Sequence, residues 1–331
     1  MANSTSNHSP ARNLLCTALA FLAPLPSIFF HHSFLRHYAG SADSLPPPWA
    51  AWCYHHPVLL PNLLFFLNIN VLFWALALLQ SSNWLIDLYW TVIPVLALHY
   101  YRNHPAAEWE GRRSGLVVAL TWVWFVRMTH NYLRREKWQL GEREDWRIND
   151  MRKQYGTKFW WVSFFTVYVA QQAFLMAITM PFYVIHSNQK QLSIWDAVAA
   201  ATCLAGVTTA YFTDTQLYNF VGRNEKLKKD GEALVPVLDE GLWRYSRHPN
   251  YFGEQLWWSG VGLFAWNLDY SWWFIGPLVN SVCLFIVTVL VEERMSKQDY
   301  RAEAYKEYQE TTSFWVPWFN TSLAGKQKKE I

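Results

Sequence analysis

The residues best suited to chemistry lie together in 241–253, GLWRYSRHPNYFG, followed by Glu254. Arg244, Arg247 and His248 make a cation-bearing turn. Pro249 suits the first position of a helix, where its missing N–H would be unpaired anyway. Asn250 and Tyr251 follow, and Glu254 lies one helical turn beyond Asn250 on the same face. An ionisable residue within a membrane helix is costly and marks a functional candidate. The chemistry in view is that of a polar site at a helix mouth. A plain interfacial anchor, with Arg, His and Tyr at headgroup depth, would have no use for Asn250 and Glu254.

The elements that must position this turn follow from composition. Of 331 residues, 52% are hydrophobic and only 16% charged, with 21 Trp, 17 Tyr and 21 Phe. Soluble domains carry about 25% charge, so a disordered chain and a large soluble enzyme are both disfavoured. A net charge of +3 gives no reason to expect nucleic acid. Cys16, Cys53, Cys203 and Cys283 stand far apart, with neither CxxC nor Cys/His spacing, so no disulfide framework or metal site is expected. A spanning helix needs about 20 mostly apolar residues. Eight segments qualify, over 14–30, 58–79, 84–101, 115–132, 159–186, 194–220, 251–268 and 272–291. Many end in Trp or Tyr, as an interfacial belt would. Pro24 and Pro26 make the first the weakest.

Lysine and arginine set the orientation. With the N-terminus cytosolic, the cytosolic side carries 22 basic residues and the opposite side 5, namely Arg36, Arg102, Arg112, Arg113 and Lys190. The positive-inside rule then predicts cytosolic N- and C-termini. The expected architecture is a single all-α membrane domain over 1–331, a polytopic bundle of seven or eight transmembrane helices, with tails at 1–12 and 320–331.

The run Arg247-His248-Pro249-Asn250-Tyr251-Phe252-Gly253-Glu254 resembles the C-terminal signature of steroid 5-alpha-reductases and their relatives, among them sterol reductases and a broad uncharacterised group of membrane proteins. The likeness extends over roughly 85–320. RREKWQLGEREDWRINDMRKQYG at 134–156 looks like the first half of that group's core. Asp214, Tyr218, Phe220, Glu292-Glu293-Arg294-Met295, Tyr305-Lys306-Glu307-Tyr308 and Val316-Pro317 look like the second. The resemblance implies NADPH held by the C-terminal helices and cytosolic loops. On that footing Arg244, Arg247 and His248 would meet phosphate groups, where arginine offers paired donors. Asn250 and Glu254 would bond amide or ribose groups, Tyr251 would stack on a ring, and Asp214 would orient the cofactor. Glu293 and Tyr305 would add contacts from the tail.

One departure opens an alternative. Where steroid reductases carry a histidine-rich run after the last helix, this chain has Glu292-Glu293-Arg294. That pair, with the Arg-His-Pro-x-Tyr turn, is similar to isoprenylcysteine carboxyl methyltransferases, which use S-adenosylmethionine. The expected activity is NADPH-dependent reduction of a C=C bond, an oxidoreductase acting on CH–CH groups of a steroid- or lipid-like substrate. The alternatives are a methyltransferase and a non-catalytic scaffold. Such a reduction needs a proton donor. Tyr132, in His130-Asn131-Tyr132, loosely matches the reductases' donor, and Asp87 is the one acid of its helix that could orient it. Against these roles stand an interfacial-belt tyrosine and a helix-capping aspartate. Gln171 and Gln172 are polar within an apolar segment, suited to lining a cavity or bonding a neighbouring helix.

GVGLFA at 260–265 fits GxGxxA but lies inside a membrane helix without a preceding strand, so a dinucleotide-fold motif is excluded by context. Sequons at Asn3, Asn7 and Asn320 fall on the expected cytosolic side. Lys328 and Lys329, fourth and third from the C-terminus, resemble a dilysine retrieval signal and point to the endoplasmic reticulum membrane. The expected partners are the bilayer and the lipid-like substrate, with no protein partner inferred.

Overall fold

Prolines decide how the chain enters its helices. The structure, a computed structural model, describes residues 10–39 and 46–319. The three sequons and Lys328 and Lys329 lie outside the described residues. α1 (Pro10–Leu22) and α2 (Leu25–Ala39) are separated by a turn at Ala23 and Pro24. Proline has no N–H to give the carbonyl four residues back, so the break orphans acceptors. The Tyr89 hydroxyl takes the Ala20 carbonyl at 2.6 Å. Asn68 bridges the break, donating to the Ala23 carbonyl at 2.6 Å and accepting from the Ser27 amide at 2.9 Å.

The described residues are mostly helical and fall into two compact units divided between Leu192 and Ser193. The first unit continues with α3 (Pro48–His55), α4 (Leu59–Gln80), α5 (Trp84–Arg102), α6 (Gly111–Arg135) and α7 (Trp146–Ile185). A two-residue parallel bridge pairs Glu108 with Ser187 and Trp109 with Asn188. The second unit holds α8 (Ile194–Asp230), α9 (Pro249–Asn267), α10 (Ile275–Ser296) and α11 (Ala302–Thr311).

Among the described residues five helical spans are long and apolar enough to cross a membrane: Ala11–Tyr38, Leu59–Gln80, Trp146–Ile185, Ile194–Asp230 and Ile275–Ser296. The other three expected segments, on α5, α6 and α9, are helical but fall short of that mark. For α5 and α9 the reason is burial. Thirteen of the 19 residues of α5 and ten of the 19 of α9 are buried in protein, so their faces need not match lipid.

α8 and α9 run antiparallel at close range. Ala199, Cys203, Gly206 and Ala210 recur at alternating spacings of four and three, as do Gly253, Trp257, Gly260 and Phe264. Small residues at such positions let backbones approach. At the far end Ser193 and Asp196 form a capping box, and Asn267 on α9 donates to Asp196 Oδ2 at 2.9 Å. In this register Asp214 and Asn250 meet at the other end.

A Cβ added at Gly206 would stand 2.5 Å from the Trp257 amide nitrogen and 2.6 Å from the Gly253 carbonyl oxygen. Backbone atoms cannot swing aside, so Gly206→Ala should cost about 1–3 kcal/mol. Gly222, on the same helix, has nothing within 4 Å of its added Cβ. Gly222→Ala should gain up to about 1 kcal/mol through helix propensity. Thermal unfolding in detergent reads both, and shifts of the same sign would contradict the close-packing account.

Candidate functional site

The candidate site grows from the last turns of α8 and the loop that folds back along them. Asn224 pairs its side-chain amide with the backbone of Val235, donating to the carbonyl at 2.9 Å and accepting from the amide at 3.0 Å. Trp243 buries its ring with Phe220 and Leu238 and donates its indole N–H to the Thr213 carbonyl at 3.1 Å. Gly241 has φ +58° and lies against the Gln216 side chain, where a Cβ would collide. Gln216 Oε1 accepts from the Leu242 amide at 3.1 Å. These contacts hold the turn at 241–248 and deliver Pro249 to the start of α9, as its residue type predicts.

Arg247 is committed inside the protein. Its Nε donates to Glu292 Oε1 at 2.8 Å, and its Nη1 donates to the carbonyls of Gln309 (2.8 Å) and Thr312 (2.6 Å). His248 Nε2 bonds Glu292 Oε1 at 2.9 Å, and Gln309 Nε2 donates to Glu292 Oε2 at 2.9 Å. Both partners of the Arg247–Glu292 pair are nearly buried, at 11% and 12% side-chain exposure. The tail is tied in further by Ser246, whose hydroxyl donates to the Trp315 carbonyl at 2.7 Å, and by the Tyr308 hydroxyl, which bonds the carbonyls of Trp243 and Ser246. Tyr305 is buried beside Tyr308. Burial pushes the phenols of both well above their usual range, so they act as neutral groups.

A second cluster faces Asp214. Asn250 Nδ2 lies 3.4 Å from Asp214 Oδ1, while Asn250 Oδ1 is buried with no hydrogen-bond partner. The ring of Tyr251 stacks on His248 at 5.3 Å and 11°. Glu254 is half-buried one turn further along α9. Arg244 is exposed and has no ion-pair partner among the described residues. An orphaned buried acceptor beside a carboxylate calls for a donor-bearing ligand, such as a carboxamide or ribose hydroxyl.

Eight of the nine expected cofactor residues, Asp214, Arg244, Arg247, His248, Asn250, Tyr251, Glu254 and Tyr305, are therefore set on or beside one polar framework. Glu293 is placed apart, exposed and paired with Lys297 one turn along α10. Its neighbour Glu292 occupies the framework. Glu292 and Tyr308 stand in the family-like runs of the sequence but carry no expected role there, and Gln309 and Gln216 carry no sequence expectation at all. For Glu292 a signal existed: Asn280, Thr288 and Glu292 fall on one four-residue phase of α10, a face that Glu293 leaves.

In the first unit, Asp87 on α5 lies within electrostatic reach of Tyr132 on α6 and of Tyr168 on α7. Tyr132 is buried, with the Arg135 guanidinium 5.9 Å from its ring centre. Neither the Asp87 carboxyl nor the Tyr132 hydroxyl has a hydrogen-bond partner among the described residues. The Tyr168 hydroxyl donates to Asn83 Oδ1 at 2.8 Å, and Asn83 in turn donates its backbone amide to Glu144 at 2.6 Å.

The model of a family described as a protein of unknown function (DUF1295) matches residues 73–312. An uncharacterised protein of Schizosaccharomyces pombe is 26% identical over 280 residues, which cover 79% of this chain and 80% of that relative. No solved structure matches.

Removing one partner of a nearly buried ion pair costs about 3–5 kcal/mol. Arg247→Ala should therefore lower the melting temperature and open the segment after Ser296 to protease. Arg244→Ala should leave both unchanged. Equal effects at the two arginines would contradict the division of roles described above.

Proposed function

The chain belongs to the DUF1295 family, within the steroid 5-alpha-reductase-like group, and we propose that it is a membrane-embedded reductase of an activated C=C bond in a lipid-like substrate, using NADPH. The observation that carries this reading is the buried, unpartnered Oδ1 of Asn250 beside Asp214. An amide or ribose hydroxyl would satisfy that acceptor. NADPH supplies hydride when bound. Arg244, exposed at the turn, is the cation available for a phosphate. Arg247 and His248 act one step back, by fixing the turn that carries Arg244 and Asn250. Tyr251 and Glu254 complete the polar face of α9.

On the substrate side we assign Tyr132 as the proton donor and Asp87 as the group that orients it. A carboxyl and a phenol that bond to no other group of the described protein are open to a substrate oxygen or a bridging water. The seven- or eight-span topology, with both termini in the cytosol, belongs to the same proposal and rests on the 22-to-5 bias of basic residues.

Thermal stability of the purified protein tests the cofactor. NADPH at 100 times its Kd should add about 2.7 kcal/mol, and Asn250→Leu should remove that gain while leaving the unliganded melting temperature near wild type. Stabilisation by S-adenosylmethionine and none by NADPH would move the assignment to a methyltransferase. With the substrate in hand, Tyr132→Phe should depress turnover with nucleotide stabilisation intact. Full turnover in that variant would remove Tyr132 from the reaction.

The pair Lys328 and Lys329 supports residence in the endoplasmic reticulum. An internally tagged protein with both changed to Ser should escape to the Golgi or cell surface. Unaltered retention would show that the pair does not hold it there.

A further inference from the structure

Beyond α11 the chain carries no charge from Thr311 to Phe319, and the run Phe314-Trp315-Val316-Pro317-Trp318-Phe319 is apolar throughout. Val316, Trp318 and Phe319 are exposed, the last two at 68% and 79%. Such a patch open to water would invite aggregation or a partner. The level at which this segment meets α10 gives it a partner.

On α10, Leu278, Val282, Phe285 and Val289 recur at spacings of four and three, so they share one face. All four are exposed, as side chains against lipid are, and so is Leu290. Glu293 and Lys297 then form an exposed ion pair. The change from exposed apolar to exposed charged side chains, between Leu290 and Glu293, marks the edge of the bilayer on this helix. At 1.5 Å per residue, Phe285 lies at least about 7 Å inside that edge. The whole interfacial layer on each side of the hydrocarbon is only about 5–7 Å deep. The tail folds back to this level. The Trp315 indole N–H donates to Thr288 Oγ1 at 3.0 Å, and the rings of Phe314 and Trp315 lie 5.9 and 6.5 Å from that of Phe285.

Irregular backbone at membrane depth needs partners within the protein. The Ser313 carbonyl accepts from the Arg247 amide at 2.8 Å, the Trp315 carbonyl from the Ser246 hydroxyl at 2.7 Å, and the Val316 carbonyl from the Ser313 hydroxyl at 2.6 Å. The Trp318 amide donates to the Tyr245 carbonyl at 2.8 Å, and Pro317 has no N–H to satisfy. We propose that residues 313–319 form a membrane-inserted hook, with Val316, Trp318 and Phe319 seated among the phospholipids of the leaflet at the C-terminal end of α10. Tryptophan is at home at that depth. Three of the four backbone bonds run to Tyr245, Ser246 and Arg247, so the hook also fastens the turn beside Arg244 to the bilayer. The inference goes beyond the reductase reading and rests only on α10 crossing the membrane.

Electron paramagnetic resonance of the full chain in phosphatidylcholine vesicles tests the hook. A nitroxide is placed through Val316→Cys or Trp318→Cys, each combined with Cys283→Ser, because the other native cysteines are buried. At both sites collisions with oxygen, which concentrates in hydrocarbon, should exceed those with a water-soluble nickel chelate severalfold. A label placed through Val282→Cys on α10 should behave alike. One placed through Glu307→Cys, at an exposed position of α11, should show the reverse order. Chelate collisions at 316 and 318 as frequent as at 307 would put the segment in water and overturn the proposal. So would exclusion of both reagents, since a second copy or another protein would then cover the patch. No nucleotide enters the measurement, so its outcome is separate from that of the reductase reading.

Discussion

A polar group carried into hydrocarbon has no water to meet, so the protein must supply its partner. Much of this chain's polar inventory is spent on that requirement. At the proline break between α1 and α2, Tyr89 reaches the carbonyl that Pro24 abandons, and Asn68 inserts between the Ala23 carbonyl and the Ser27 amide. In the second unit, Asn280 donates to Gln255 Oε1 at 2.8 Å, and Gln255 donates to the Pro277 carbonyl at 3.0 Å. A fully paired network of this kind costs little and fixes which helix faces meet. Against that background an unpaired buried atom stands out. Asn250 Oδ1 is one of the buried side-chain atoms left without a hydrogen-bond partner, and it lies beside a carboxylate.

Close packing supplies the other half of the frame. Gly206 and Gly253 let α8 and α9 touch backbone to backbone. The contact sets the register that brings Asp214 opposite Asn250, and it leaves no slack for the pair to drift. The turn before α9 is then clamped from the tail by Arg247, Ser246 and Tyr308. A site built this way is preorganised: the cost of holding its acceptors in place is met by folding and need not be met again when a ligand arrives.

Much of this was legible in the sequence, and the misses have physical causes. Apolar length announced α4, α7, α8 and α10. α5 and α9 were found as helices by the same signal; more than half of their residues are buried in protein, and they are less apolar than the five spans that stand out by length and hydropathy. The motif at 241–254 was read correctly as the start of a helix, and Asn250 proves adjacent to Asp214, 36 residues away, only because two glycines permit the approach. The exchange of Glu293 for Glu292 turns on one step of 100° around α10. Residue type gives no information on that phase. It comes from the neighbours Asn280 and Thr288, polar residues of an apolar helix that share the four-residue phase of Glu292 and are buried in the fold.

The same cluster bears on a motif shared between two kinds of enzyme. The Arg-His-Pro turn carries the resemblance to the reductases, and the same turn together with the Glu-Glu pair carries that to the methyltransferases, so the turn invites a common role at the cofactor. In this chain Arg247 and His248 bond directly to Glu292, and Arg247 holds two carbonyls of the tail as well. Their partnership is with each other. A pair that locks a turn to a helix would be kept by any enzyme using that turn, whatever nucleotide lies beyond it. The motif therefore identifies the framework; on the proposed reading, discrimination between cofactors would fall to groups that the framework leaves with capacity to spare. In this chain those are the Oδ1 of Asn250 and the guanidinium of Arg244.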